Sequence, residues 1–360
     1  MNQPQQTHAG VLRSRLDTFL PSAGRATVRA PSVLDGLRAL ARAWHPQAWA
    51  HVGDSFRHRH DWTGRWYRRN LTALKYLVRF ACMPVQHERF LALIAASPFM
   101  RAYRRRDPRL LERHMHRYVN VHWHRRDRLA YLLQHYRFAI AHMPLGLLEQ
   151  VYAMGHACLG SLTAKDGSVL TLCMRGPISK GCEGELCLQL CDAHENPLYS
   201  IVFTVADELP TIMIGCLQGP RGENARETVR ELTRNLHGMR PKQFMVSLVY
   251  AFARHYGIER MVAIGNDAHP LRRTGRPLYS DYDAFWEEQQ GRRIGGGWYA
   301  LPSLPPRKTQ AEIPSSHRAA FRRREALREA AENLLIGALT SSSPRTRMAT
   351  PNVAGSGHRS

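Results

Sequence analysis

Near Met143 the spacing of apolar residues changes period, and this change limits the folds open to the chain more than any other feature. Upstream, "VLDGLRALARAW", "WYRRNLTALKYLVRFAC", "HERFLALIAASPFM", "PRLLERHMHRYV" and "RRDRLAYLLQHYRFAI" repeat apolar residues at intervals of three and four, which predicts helices. Downstream, "ACLGSLTA", "SVLTLCMR", "GELCLQLCD", "PLYSIVFTVA" and "TIMIGCLQG" are short β-like runs parted by "KDG", "SKGCE", "HENP" and "DELP". Turn chemistry at such intervals predicts an antiparallel meander of up to five strands. Two helices follow, the second being "QFMVSLVYAFARHYG", then a strand "IERMVAIGN", a helix "DYDAFWEEQQ" and a last strand "GGWYAL". The fold class is therefore α+β: a basic helical N-terminal region, then an antiparallel meander with helices.

The ends read differently. Residues 1–31 lack periodicity, and the tail from 336 is basic and rich in Ser, Pro, Arg and Gly, so both are expected to be disordered. Between them we expect a basic helical region over 32–143 and an α+β core over 144–335. An amphipathic helix, "HRAAFRRREALREAAENLL", is expected before the tail.

Charge follows the same division. The net charge of +22 comes almost wholly from arginine, and residues 1–150 hold 25 Lys/Arg against 9 Asp/Glu, whereas 151–300 hold 16 of each. A neutral centre beside a basic region suggests a central module with a basic, partner-facing attachment. Arginines interleaved with Trp62, Trp66, Tyr67 and Trp123 permit contacts to nucleic acid or to an anionic membrane through residues 32–143. No nucleic-acid-binding motif accompanies them. The best apolar runs fall short of a membrane span, and the first residues lack the apolar segment of a secretory signal. The expected location is cytoplasmic, with a peripheral position at the inner membrane left open.

Metal is not expected. Seven cysteines lack any C-x-x-C pair, and in "GELCLQLC" Leu186, Leu188 and Leu190 would share one strand face with Cys187 and Cys191 on the other. Cys173, Cys182, Cys187 and Cys191, with His194 near, read as small buried hydrophobes. His114, His116, His122 and His124 recur at two rather than on one helical face, and read as structural or surface groups.

The stretch "LQGPRGENARETVRELTRNLHGMRPK" has two glycine-bearing turns, each leading into a helix. In the first, Pro220 removes a backbone donor where an anion cradle would need one, so Gly219 and Gly222 make no phosphate loop. In the second, Gly238 ends one helix, Pro241 begins the next, and Arg240 and Lys242 sit near the new N-terminus. Cations there oppose the helix dipole, and a bound anion would relieve the conflict; two side chains extended into water would serve as well. Arg226, Arg230 and Arg234 form a stripe that either joins the turns or pairs with Glu223, Glu227 and Glu231. Gln218 and Arg221 are expected to face Arg240 and Lys242, and with Arg234, Gly238 and Asn266 they make the candidate set for an anion or cofactor. The candidate proton handlers are His237, His269 and Asp281, with Tyr279 and Tyr282 as donors.

This block, with "YGIERMVAIGNDAH" after it and "R..YLLQHY" before it, resembles the VirK/YbjX family of bacterial proteins over roughly residues 65 to 335. The resemblance implies a role in virulence, stress response and tolerance of envelope-directed peptides, and implies no established reaction. The element order is also similar to the acetyltransferase superfamily, with a helical insertion like that of acyl-homoserine-lactone synthases. In those folds the loop before the main helix binds pantetheine pyrophosphate, a role that would fall here on "HGMRPK", which lacks the usual glycine-rich pattern. Two functions follow as expectations. One is an N-acyltransferase-like enzyme using CoA or an acyl carrier thioester; the other is a non-enzymatic basic protein that engages nucleic acid or anionic membrane during stress.

Overall fold

The computed structural model describes residues 46–178, 182–272, 281–307 and 309–341. The first expected helix, the expected disordered extension over 1–31 and Tyr279 lie outside them.

The helical period is realised as α1 (Pro46–Ser55), α2 (Trp66–Ala81), α3 (Pro84–Ala96), α4 (Pro98–Arg106) and α5 (Arg125–His142). Pro84 and Pro98 open α3 and α4 in the first turn, where a missing N–H breaks no helical bond. A reciprocal cap between His124 and Asp127 starts α5. The segment "PRLLERHMHRYV" departs from expectation: it forms a 3-10 helix over Pro108–Met115 and then leaves helical geometry. Tertiary contacts override its period, because the Val119 N–H donates to the Cys182 carbonyl at 2.7 Å and Val119 sits at φ 46°, a rare value for a β-branched residue.

The meander has the expected five strands: β1 (His156–Thr163), β2 (Val169–Arg175), β3 (Leu186–Cys191), β4 (Pro197–Ala206) and β5 (Thr211–Gln218). Then come α6 (Ala225–Asn235), α7 (Pro241–His255), β6 (Arg260–Ile264), α8 (Tyr282–Glu288), β7 (Arg292–Ile294), β8 (Trp298–Leu301) and α9 (Arg318–Thr340). The short β7 is not among the expected strands; it pairs with β8 through three residues. Helix α9 continues beyond residue 335, so the described chain stays helical into the stretch expected to be tail.

The eight strands among the described residues form one sheet in the order β1-β2-β3-β4-β5-β6-β8-β7. Every neighbouring pair is antiparallel except β5 and β6, which run parallel from Thr211 against Arg260 to Ile214 against Ala263. Helices α6 and α7 make the crossover that parallel pairing demands. Leu186, Leu188 and Leu190 enter the main core, whereas Cys187 lies in a small cluster with Val202 and Cys216, as strand alternation predicts. The main core is continuous from Val52 to Leu339, so the helical layer and the sheet bury their apolar faces together.

Candidate functional site

The parallel pairing of β5 and β6 stops at Ile214, yet β5 runs on to Gln218, so the two strands part company. A β-bulge marks the same place: β4 pairs Val202 with Cys216 and Phe203 with Ile214, leaving Gly215 as the extra residue. Glycine is required there, since a Cβ would stand 2.0 Å from the Glu183 carbonyl oxygen. The chain around Glu183 crosses over the sheet at this point. Gly184 (φ 142°) lies against the Phe203 backbone, within 3.1 Å of where its own Cβ would be. Crossing, bulge and strand end together deliver Glu183 to the gap between β5 and β6.

There it meets Cys216 of β5, His269 from beyond β6 and Tyr282 of α8, all buried. Glu183 Oε1 stands 3.8 Å from His269 Nε2, and the His269 ring stacks on Tyr282 at 5.1 Å between centroids. The Tyr282 hydroxyl accepts from the Leu217 N–H at 3.1 Å, lies 3.3 Å from the Leu217 carbonyl, and reaches Cys216 Sγ at 3.7 Å. Tyr282 therefore satisfies the β5 edge where β6 no longer does. Packed side chains fill this gap.

Burial dominates the electrostatics. It pushes the Cys216 thiol and the Tyr282 phenol well above their ordinary values, so both keep their protons. Burial lowers His269 to about 4, with the Gly215 carbonyl opposing, so its imidazole is neutral at pH 7. Nδ1 accepts from the Leu271 N–H at 3.2 Å, which assigns the ring proton to Nε2, facing Glu183.

Ligand atoms of Glu183, Cys216 and His269 lie within 4.8 Å of one another, a donor set that suits zinc in kind. As the fold stands, Cys216 Sγ and His269 Nε2 both carry protons, so a cation would have to displace two. The reading of the sequence does not find this trio. Its members are 33 and 53 residues apart, and no spacing rule joins them.

Asp281 caps α8, accepting from the Ala284 N–H at 3.1 Å and the Asn266 amide at 2.8 Å, and these bonds hold its carboxyl below its usual range. Asn266 also accepts from the Tyr282 N–H at 2.9 Å, tying the end of β6 to α8. His237 and Gly238 end α6 in left-handed geometry (φ 54° and 81°), with the Gly238 N–H donating to the Thr233 carbonyl at 2.8 Å. Partial burial, then Arg323, Lys165 and Arg324, keep His237 below its ordinary value. Arg240 is ion-paired with Glu288, and Lys242 Nζ lies 5.1 Å over the Phe285 ring. Burial, then Arg240, lowers Lys242. Arg230 and Arg234 both pair with Glu227, and Arg221 is exposed. The structure thus gathers His269 with Glu183, Cys216 and Tyr282, and sets Arg240, Lys242, Asn266 and Asp281 around α8. It leaves Arg221, in the turn before α6, and the Arg226–Arg234 stripe of α6 exposed.

These features define an α+β protein whose mixed sheet carries a buried acid, thiol, imidazole and phenol where the parallel pair of β5 and β6 ends. The chain belongs to the VirK/YbjX family: residues 65–335 match the family model described as "Protein of unknown function (DUF535)". It is 29% identical over 267 residues to the uncharacterized protein YbjX of Escherichia coli K12, covering 72% of this chain and 80% of that protein. An uncharacterized protein of Haemophilus influenzae is 28% identical over 200 residues, covering 55% and 66% of the two chains. Among solved structures, a point mutant of a cAMP-binding acyltransferase from Mycobacterium smegmatis aligns with a TM-score of 0.26 and 10% identity over 60% of this chain and 61% of that one.

Proposed function

We propose that the chain is an acyl-transfer enzyme taking its acyl group from CoA or an acyl carrier thioester, with its reaction centre at the separation of β5 and β6. The observation that carries this reading is the Leu217 N–H, a strand-edge donor beyond the last β6 partner, held by the hydroxyl of a buried tyrosine. The gap is closed in this state, so the donor must part Tyr282 from the β5 edge; the N–H so released is the kind of dipole that stabilises a thioester carbonyl as negative charge develops on its oxygen.

In the reaction, an acceptor amine attacks the carbonyl carbon; the C–N bond forms, the C–S bond breaks, and the amine proton passes to a base. Glu183, with neutral His269 beside it, supplies that base and passes the proton on to the departing thiolate, toward which the protonated Tyr282 hydroxyl donates a hydrogen bond. Arg240 and Lys242, at the start of α7, meet the phosphates of the donor. Glu288 already occupies Arg240, so phosphate competes with that carboxylate. The family resemblance supports envelope stress as the setting.

Calorimetric and thermal-shift titration with CoA, an acyl-CoA and acyl carrier protein tests the proposal. Stabilisation by at least one donor is expected. Glu288→Gln should tighten binding several-fold by freeing Arg240, and Tyr282→Phe should lower turnover by roughly 10²-fold with donor binding kept. No stabilisation by any donor would sink the reading.

A further inference from the structure

Helix α2 is attached by one face only. Tyr76 and Phe80 are buried, and the Tyr76 hydroxyl meets Ser55 Oγ and His87 Nε2, each at 2.9 Å. Its opposite side holds large apolar residues in solvent: Trp66 is 75% exposed, Leu74 55%, Leu71 50%, Tyr67 45%, and Leu77 and Val78 44% each. At about 100° per residue, these six cover one arc of roughly 140°. Lys75, Arg68 and Arg79 fill the neighbouring arc, and no acidic residue lies anywhere in α2. Among the described residues, Arg65, Arg68, Arg69, Lys75 and Arg105 form no ion pair.

A cleft of about 730 Å³ opens beside this arc and shares Trp66 and Asn70 with it. Arg69, Arg105, His58 and His60 bring positive or titratable groups to its walls. The nearby acids are already committed: Arg59 holds Asp61 at 2.9 Å and is also paired with Glu112. His58 is fixed at φ 57°, a left-handed value seldom taken by a residue with a side chain.

We propose that α2 and its cleft dock on the surface of an anionic phospholipid bilayer. The apolar arc enters between headgroups, Lys75 and Arg68 lie along the phosphates, and Arg69 with Arg105 receives one lipid phosphate in the cleft. Charge complementarity selects an anionic surface, and the arc selects lipid over nucleic acid, since six large apolar side chains find no counterpart on a phosphodiester backbone. The helix lies on the bilayer and does not cross it, for among the described residues no helix is long and apolar enough to span one. The proposal is independent of the acyl-transfer reading.

Flotation of the full chain with vesicles tests it, comparing phosphatidylcholine alone with phosphatidylcholine containing phosphatidylglycerol. Binding is expected on the anionic vesicles only, with partition falling as salt rises. Replacing Leu71, Leu74 and Val78 by Ser should cut partition at least tenfold with the melting temperature unchanged, because all three are exposed. Arg68→Gln and Lys75→Gln should each cut it roughly fivefold. Equal binding to neutral vesicles, no binding to either, an unaltered triple Ser variant, or binding confined to duplex DNA and insensitive to the Ser changes would overturn the proposal.

Discussion

At the scale of single residues, the candidate site depends on one hydrogen atom. Gly215 has no side chain, so the Glu183 carbonyl can sit where a Cβ would otherwise be, at 2.0 Å, and the obstructing atom belongs to backbone that cannot rotate away. Gly215→Ala should therefore destabilise the fold by about 2–3 kcal/mol through overpacking and push Glu183 away from His269. Gly222→Ala is the comparison: nothing lies within 4 Å of its Cβ, and only its φ of 98° opposes a side chain, which costs about 1–2 kcal/mol. Denaturant unfolding of both variants checks the order, and equal losses would mean that the close approach at Gly215 is unimportant. The bulge explains how little of the site is legible in the sequence. His269 and Tyr282 stand out there because they follow the crossover strand, but Glu183 and Cys216 carry no motif. Their meeting arises from a chain crossing and a bulge, and both are tertiary events. Asp281, Asn266 and Gly238 stand out for their chemistry, and the geometry gives each of them work as a cap or a connection.

Between elements, the helical layer is joined to the sheet by buried polar groups as well as by apolar packing. Arg113 of the 3-10 helix is paired with Glu185, which precedes β3, and reaches Tyr103 at 2.9 Å and Asp107 at 3.2 Å. Tyr136 of α5 donates to the same Glu185 oxygen at 2.5 Å, and Tyr152 donates to its backbone carbonyl at 3.2 Å. Removing one partner leaves the other buried, which is the costly case. Arg113→Met should lose about 3–5 kcal/mol near pH 7.5 by chemical denaturation. Burial already raises Glu185 above its ordinary value, despite Arg113, and loss of that cation raises it further. A raised folded value means that the fold takes up the proton first, so the deficit of the variant should shrink as pH falls toward the ordinary carboxylate range. Adding Glu185→Leu should restore most of the loss, and a double variant no better than the single one would refute the account. The elements themselves are largely legible, because period and turn chemistry are local: five meander strands and helices α2, α3 and α5 to α9 appear where the spacing predicts, whereas Pro98 divides one expected helix into α3 and α4 and Pro108–Met115 turns 3-10. What local pattern does not reveal is which face a helix buries. The sequence of α2 is amphipathic like that of an ordinary packing helix, yet its broad apolar arc faces outward while Tyr76 and Phe80 hold the packed side.

For the whole molecule, stability is tied to pH by histidines that the fold keeps neutral. Burial, then the Arg59 charge, lowers His87 to about 3; burial, then Arg113, lowers His135 to about 3. His269 falls to about 4, and burial and His87 push His114 well below its ordinary value. The rings are linked into the structure: His87 Nδ1 lies 3.2 Å from His114 Nε2, and His135 Nδ1 accepts from the Val205 N–H at 3.1 Å while its Nε2 meets the Tyr152 hydroxyl at 2.9 Å. In the unfolded chain each titrates near pH 6.5. Because the folded values are lower, the unfolded state binds protons first, so their stabilising effect is full above about pH 6.5 and is lost progressively as pH falls toward the folded values. Each histidine contributes a slope of up to about 1.4 kcal/mol per pH unit. Glu112 does not offset this: burial pushes it up, but His116 and Arg59 hold it at about 2, so its own contribution is lost only at lower pH, in the same direction. Glu185 acts in the opposite direction, as a single group against four. The melting temperature should therefore drop by on the order of 10 °C between pH 7 and pH 5, with net proton uptake on unfolding. Scanning calorimetry in buffers of different ionisation enthalpy measures both quantities. A melting temperature constant over that range, or unfolding without proton uptake, would show that these rings are not held neutral by the fold.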